Sequence, residues 1–127
     1  MKPINILYDI QHLGMMLVVK RISSKVSDRI KKPINMNICS GYELLEKLEI
    51  KPDYDIILMH VGVHYEGACR QADECRKLSK AILISESSMF PFHREEIEPH
   101  FDKYMHALFE YDIEGHRIEE LLRELNI

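Results

Sequence analysis

The chain has no apolar stretch approaching the ~20 residues that a bilayer-spanning helix needs, so a helical membrane span is not expected. It has no surplus of basic residues either. Seventeen lysines and arginines against 21 aspartates and glutamates give a net charge of −4, which offers no electropositive surface for a phosphate backbone. Nucleic acid is therefore not an expected partner. The opening Met1-Lys2-Pro3-Ile4-Asn5-Ile6 lacks the apolar core and cleavage site of a secretory signal, and a cytoplasmic location is expected. Cysteine is scarce and odd in number. Cys39, Cys69 and Cys75 read as reduced thiols, and the Cys69–Cys75 spacing is neither CxxC nor that of zinc ligands. A Gly-rich phosphate loop is also missing: Gly14 stands alone after the first apolar run, with neither GxGxxG nor GK[ST] around it. Nucleotide binding is not indicated there, and no cofactor is expected. Nor is there an internal repeat, low-complexity tract or Pro/Gly/Ser linker, so residues 1–127 are read as one domain.

What the chain does have is a rhythm. Five short apolar runs, Ile4–Asp9, Ile34–Ser40, Tyr54–His60, Ala81–Glu86 and Tyr104–Glu110, each end in polar residues and are each followed by a helix-like stretch. Asp55-Ile56-Ile57-Leu58-Met59 and Ala81-Ile82-Leu83-Ile84 are continuously apolar, as central strands covered on both faces must be. Ile34-Asn35-Met36-Asn37-Ile38 alternates apolar with polar, which suits a sheet edge. Helices are expected from the turn after Gly14 to about Ile30, over Tyr42–Leu48, from about Ala68 to Leu78, over His93–Glu98 and from about Ile113 to Leu125. Lys31-Lys32-Pro33 stops the first, because proline cannot continue a helix. Right-handed crossovers then give a three-layer flavodoxin-like α/β sandwich with a five-stranded parallel sheet in the order 2-1-3-4-5.

Such sheets bind ligands at the rim formed by the carboxyl ends of their strands. The residues arriving there are Asp9, Gln11 and His12, Ser40, His60 and His64, Ser85 and Glu86, and Glu110 with Asp112. Strands end in water, so polar termini alone assign no site. One alternative is a small metal- or ligand-binding enzyme using Asp9, His12, His60, His64 and Glu86, since imidazole and carboxylate suit zinc, iron or manganese.

The five-strand rhythm and the terminal Glu119-Glu120-Leu121-Leu122 helix resemble the receiver domain of bacterial response regulators over the whole chain. Pro52-Asp53-Tyr54-Asp55-Ile56-Ile57-Leu58-Met59-His60 resembles that family's third strand, with His60 where the phosphoacceptor aspartate belongs. Asp9 matches one acid of the family's pair after the first strand, but Ile10 does not continue it. Ser85 fits the hydroxyl position after the fourth strand. Phe109-Glu110-Tyr111 occupies the stretch that carries a lysine in the family. Receiver phosphorylation needs a carboxylate nucleophile, a magnesium ion held by acids, and a lysine for the phosphoryl charge. The resemblance therefore implies a degenerate receiver, a pseudo-receiver with no catalytic residues. It would act as a signalling or adaptor domain through protein–protein contacts, without aspartyl phosphate, with a protein partner or as a homodimer.

A weaker resemblance is to the SGNH hydrolases. Asp9-Ile10-Gln11-His12-Leu13-Gly14 is similar to their first block, Ser40-Gly41 with Leu44-Leu45 to the second, and Ile57–His64 to the strand leading to the third. Ile10 replaces the serine nucleophile and His64 the oxyanion-hole asparagine, so acyl transfer would lack its first step. A Cys/His hydrolase would need Cys39 or Cys69 beside a base.

Two surfaces read as interaction sites. In the first helix Met15, Val18, Val19, Ile22, Val26 and Ile30 form an apolar stripe, while Leu13, Met16 and Leu17 lie off it and form a patch for association. Met89-Phe90-Pro91-Phe92 is the second, with Met89, Phe90 and Phe92 near the rim.

Overall fold

The computed structural model describes residues 2–10, 12–87, 93–106, 108–109 and 112–127. The chain alternates strand and helix: β1 (Ile4–Asp9), α1 (Met16–Ile30), β2 (Ile34–Cys39), α2 (Leu44–Ile50), β3 (Ile56–His60), α3 (Tyr65–Leu78), β4 (Ile82–Ser87), α4 (Arg94–Ile97), β5 (Lys103–His106) and α5 (His116–Glu124). The strands form one sheet in the order β2-β1-β3-β4-β5, with every neighbouring pair parallel. Fold class, strand order and the edge position of β2 are thus as the apolar runs predict.

Alternation along the strands builds two cores. Ile4, Ile6 and Tyr8 of β1 join Ile56, Leu58 and Ile84 on the face covered by α1 and α5. Leu7 joins Ile57, Met59 and Leu83 on the face covered by α2, α3 and Ile97 of α4. Successive strand residues point to opposite faces, so this split follows from the register alone. The helix α1 ends as Lys31-Lys32-Pro33 predicts. Lys31 turns left-handed at φ 55°, its N–H reaches Ser27 O, and Ser27 Oγ donates to Lys32 O at 2.8 Å. Gly115, at φ 74°, opens α5 so close to α1 that a β-carbon there would meet Val26 Cγ2 at 2.5 Å. Glycine's lack of a side chain is what lets these two helices sit together.

Three expectations need correction. The fifth strand runs Lys103–His106, shorter than the apolar run, because Leu108 and Phe109 turn inward to fill the core beneath α1 and α5. The buried stripe of α1 is Val19, Ile22, Ser23 and Val26, with Ser23 Oγ satisfied by Val19 O at 2.8 Å. Val18 is rotated away from it and is 40% exposed. In the proposed patch, Leu13 (61%) and Leu17 (70%) do face solvent, whereas Met16 is half-buried. Met89, Phe90 and Phe92, like Gln11 and Glu110, lie outside the described residues.

Candidate functional site

At the rim, β1, β3 and β4 deliver three side chains from the α1/α5 face of the sheet. His60 pairs in register with Glu86, and Tyr8 lies one layer below beside Leu58. Tyr8 Oη donates to Glu86 Oε2 at 3.0 Å, and His60 Nδ1 lies 3.4 Å from the same oxygen. Glu86 is buried, and a carboxylate enclosed by apolar walls needs such donors. A carboxylate accepts, so Nδ1 is the ring nitrogen that carries its hydrogen towards Glu86. The Tyr8 ring also stacks on Phe109, with centroids 5.4 Å apart. Polar and aromatic contacts close this half of the rim.

The other half is open. Asp9 lies on the α2/α3 face, only 7% exposed. It lines a cleft of about 530 Å³ with Ser40, Gly41, His60, His64 and Gln71. Gly41 leaves the carboxylate uncovered; a β-carbon there would lie 3.4 Å from Asp9 Oδ1. Burial pushes the Asp9 carboxyl up from 3.8 to about 6, against the opposing pull of His60. Ser40 is tied down by Glu43, whose Oε1 accepts from Ser40 N at 3.1 Å and from Ser40 Oγ at 3.0 Å. Gln71 Nε2 donates to Gly41 O at 2.6 Å, bridging α3 to the turn after β2.

Of the five residues of the metal alternative, four adjoin one another and His12 lies apart. Asp9, His60 and His64 line the cleft and Glu86 touches His60, whereas His12 lines a separate apolar groove with Met15, Val18 and Phe109. Among the described residues no group of three His, Cys, Asp or Glu side chains is arranged to hold a metal ion. Ser85 is not at the strand end either. It pairs with Met59 inside β4, fully buried, and its Oγ faces Lys103 O at 3.4 Å. Asp112 caps α5, accepting from His116 N at 3.2 Å and Arg117 N at 2.7 Å. The three cysteines are buried free thiols. Burial, with Asp9 nearby, pushes Cys39 and Cys75 up to about 12, the reverse of what a nucleophile requires.

Sequence reasoning missed Tyr8 and Gln71. The first was legible in the register of Ile6-Tyr8 against Leu58-His60 and Ile84-Glu86. The second lies one turn from Ala68 and Cys75, at the border of the buried stripe of α3.

No family model and no curated protein matches the sequence. Solved structures do match it. The crystal structure of response regulator RPA3017 in red light signaling of R. palustris superposes with a TM-score of 0.68 at 14% identity, covering 94% of this chain and 92% of that one. A chain from the crystal structure of the P1 domain of CheA3 in complex with CheY6 from R. sphaeroides gives 0.69 at 19% identity, covering 99% and 98%. Nothing in these comparisons supports the hydrolase resemblance. At such identities the likeness establishes the architecture: this chain has the flavodoxin-like fold of a receiver, with strand order 2-1-3-4-5.

Proposed function

We propose that this is a cytoplasmic receiver-fold signalling or adaptor domain that works through protein–protein contacts and is not phosphorylated on aspartate. The observation that carries the reading is the end of β3. His60 stands where the resemblance to receivers calls for a nucleophilic carboxylate, and Glu86 fixes its ring through Nδ1 at 3.4 Å. An acyl phosphate forms only on a carboxylate. Asp9 has no acidic neighbour in sequence, since Ile10 beside it is buried and apolar. Phe109, in the stretch where receivers carry a lysine, is stacked into the core on Tyr8. Exposed Leu13 and Leu17 at the start of α1, and Ile113 in the apolar groove beside it, supply apolar surface of the kind that protein contacts use.

Incubation with acetyl phosphate and magnesium chloride, followed by intact mass measurement, tests this. The protein is expected to remain unmodified. A hydroxylamine-labile phosphoryl adduct would overturn the reading.

A further inference from the structure

The cleft beside Asp9 is lined by one carboxylate together with the side chains of Ser40, His60, His64 and Gln71. Asp9 is more than nine-tenths buried, yet no described residue donates a hydrogen bond to its carboxylate. Gln71 uses one of its two amide N–H groups on Gly41 O, and its carbonyl oxygen can accept. Ser40 Oγ gives its proton to Glu43, keeping its lone pairs. His60 is held to Glu86 through Nδ1, and its Nε2 lies beside Gly62, whose added β-carbon would sit 3.5 Å away. None of the described residues lining the cleft is lysine or arginine.

A largely desolvated carboxylate that opens on a cleft gains most from a cationic donor that can reach it. A metal ion would want several anionic ligands on one side, but Glu86 is turned to the opposite face and already takes two donors, and Glu43 is occupied by Ser40. A guanidinium fits better. It is planar, carries five N–H donors, and forks onto a carboxylate with donors to spare for neighbouring acceptors.

We propose that the Asp9 cleft is a binding site for a guanidinium group, which Asp9 engages in bidentate fashion while the Gln71 carbonyl oxygen accepts a remaining N–H group. The volume, about 530 Å³, admits either a free guanidine compound or an arginine side chain from a partner. The first turn of α3 adjoins the cleft and would attract anions, but Glu66 already answers that helix end. The proposal needs only this cleft and is independent of whether the domain is phosphorylated.

Titration of ¹⁵N-labelled protein with methylguanidinium at neutral pH tests it. Saturable shifts are expected at Gly41, Gly62 and the Gln71 side chain. The neutral isostere methylurea, magnesium chloride and inorganic phosphate should leave those signals in place. Asp9→Asn, which keeps shape and removes charge, should weaken binding about tenfold or more. In the unmutated protein, affinity should fall as pH drops through about 6, where Asp9 takes up its proton. A short neutral-flanked peptide bearing one arginine separates the sources. Tighter binding than methylguanidinium identifies a partner side chain, and equal binding identifies a free guanidine. Failure of both ligands to bind would overturn the proposal. So would equal binding of methylurea, undiminished binding by Asp9→Asn, or magnesium or phosphate taking the site in their place.

Discussion

Tyr8 and Asp9 are consecutive in β1 and nearly equally buried, at 4% and 7% exposure, but they face opposite sides of the sheet. On one side Tyr8 meets Glu86 and Phe109, and Glu86 takes hydrogen bonds from Tyr8 and His60 through one oxygen. On the other side Asp9 faces a cleft, Gly41 withholds the side chain that would cover it, and its proton affinity rises. Burial alone does not decide what a buried acid does. The partners within reach decide it: a satisfied carboxylate helps hold a fold together, and an unsatisfied one waits for a ligand.

The contrast breaks most visibly at Glu86. Glu86→Ala removes the acceptor that Tyr8 Oη and His60 Nδ1 share and leaves a cavity among buried side chains, and is expected to cost about 3 kcal/mol in urea unfolding. Glu86→Gln keeps an acceptor for Tyr8 and should cost roughly a third of that. If Glu86→Ala proved neutral, the network at this half of the rim would hold nothing together.

At Asp9 the sign reverses. Its folded-state value, about 6, lies above its ordinary 3.8, so the folded protein holds that proton more tightly than the unfolded chain. The penalty is absent below 3.8, grows as pH rises, and is complete above about 6; a shift of this size corresponds to about 3 kcal/mol. Asp9→Asn should therefore stabilise the protein at pH 8 by an amount approaching that figure. The advantage should vanish as pH falls towards 4, and the difference between the two unfolding curves across pH measures it. A constant difference at all pH values would mean that Asp9 is not buried as a charge.

How much of this was legible in the sequence depends on what sets each feature. The sheet was, because continuous runs such as Ile56–Met59 are what strands covered on both faces require, and the alternation at Ile34–Ile38 marked the edge. The end of β5 was not, since Leu108 and Phe109 are as apolar as strand residues but are buried as a turn. Polar strand ends were visible as a set, but the sets that touch depend on register. His60 pairs with Glu86 and not with Ser85, a one-residue difference that moves a side chain to the other face. Asp112 looked like a rim acid because its capping partners, the N–H groups of His116 and Arg117, carry no sequence signature of their own.

The smallest change sharpens the comparison most. Gly41→Ala would place a methyl group 3.4 Å from Asp9 Oδ1 and 3.5 Å from Oδ2, ordinary contact distances that demand no rearrangement. Gly41 is not in the left-handed region, so alanine meets no backbone strain. Stability at low pH, where Asp9 is neutral, should change by no more than about 0.5 kcal/mol. The carboxylate, however, would lose part of its remaining water, and desolvation already dominates its proton affinity. The Asp9 titration followed through its carboxyl carbon by NMR should therefore move above its value in the unmutated protein, while the Tyr8–Glu86–His60 half of the rim keeps its signals unchanged. An unmoved titration would show that Gly41 is not what keeps Asp9 in touch with solvent, and the two halves of the rim would differ less than their hydrogen bonds imply.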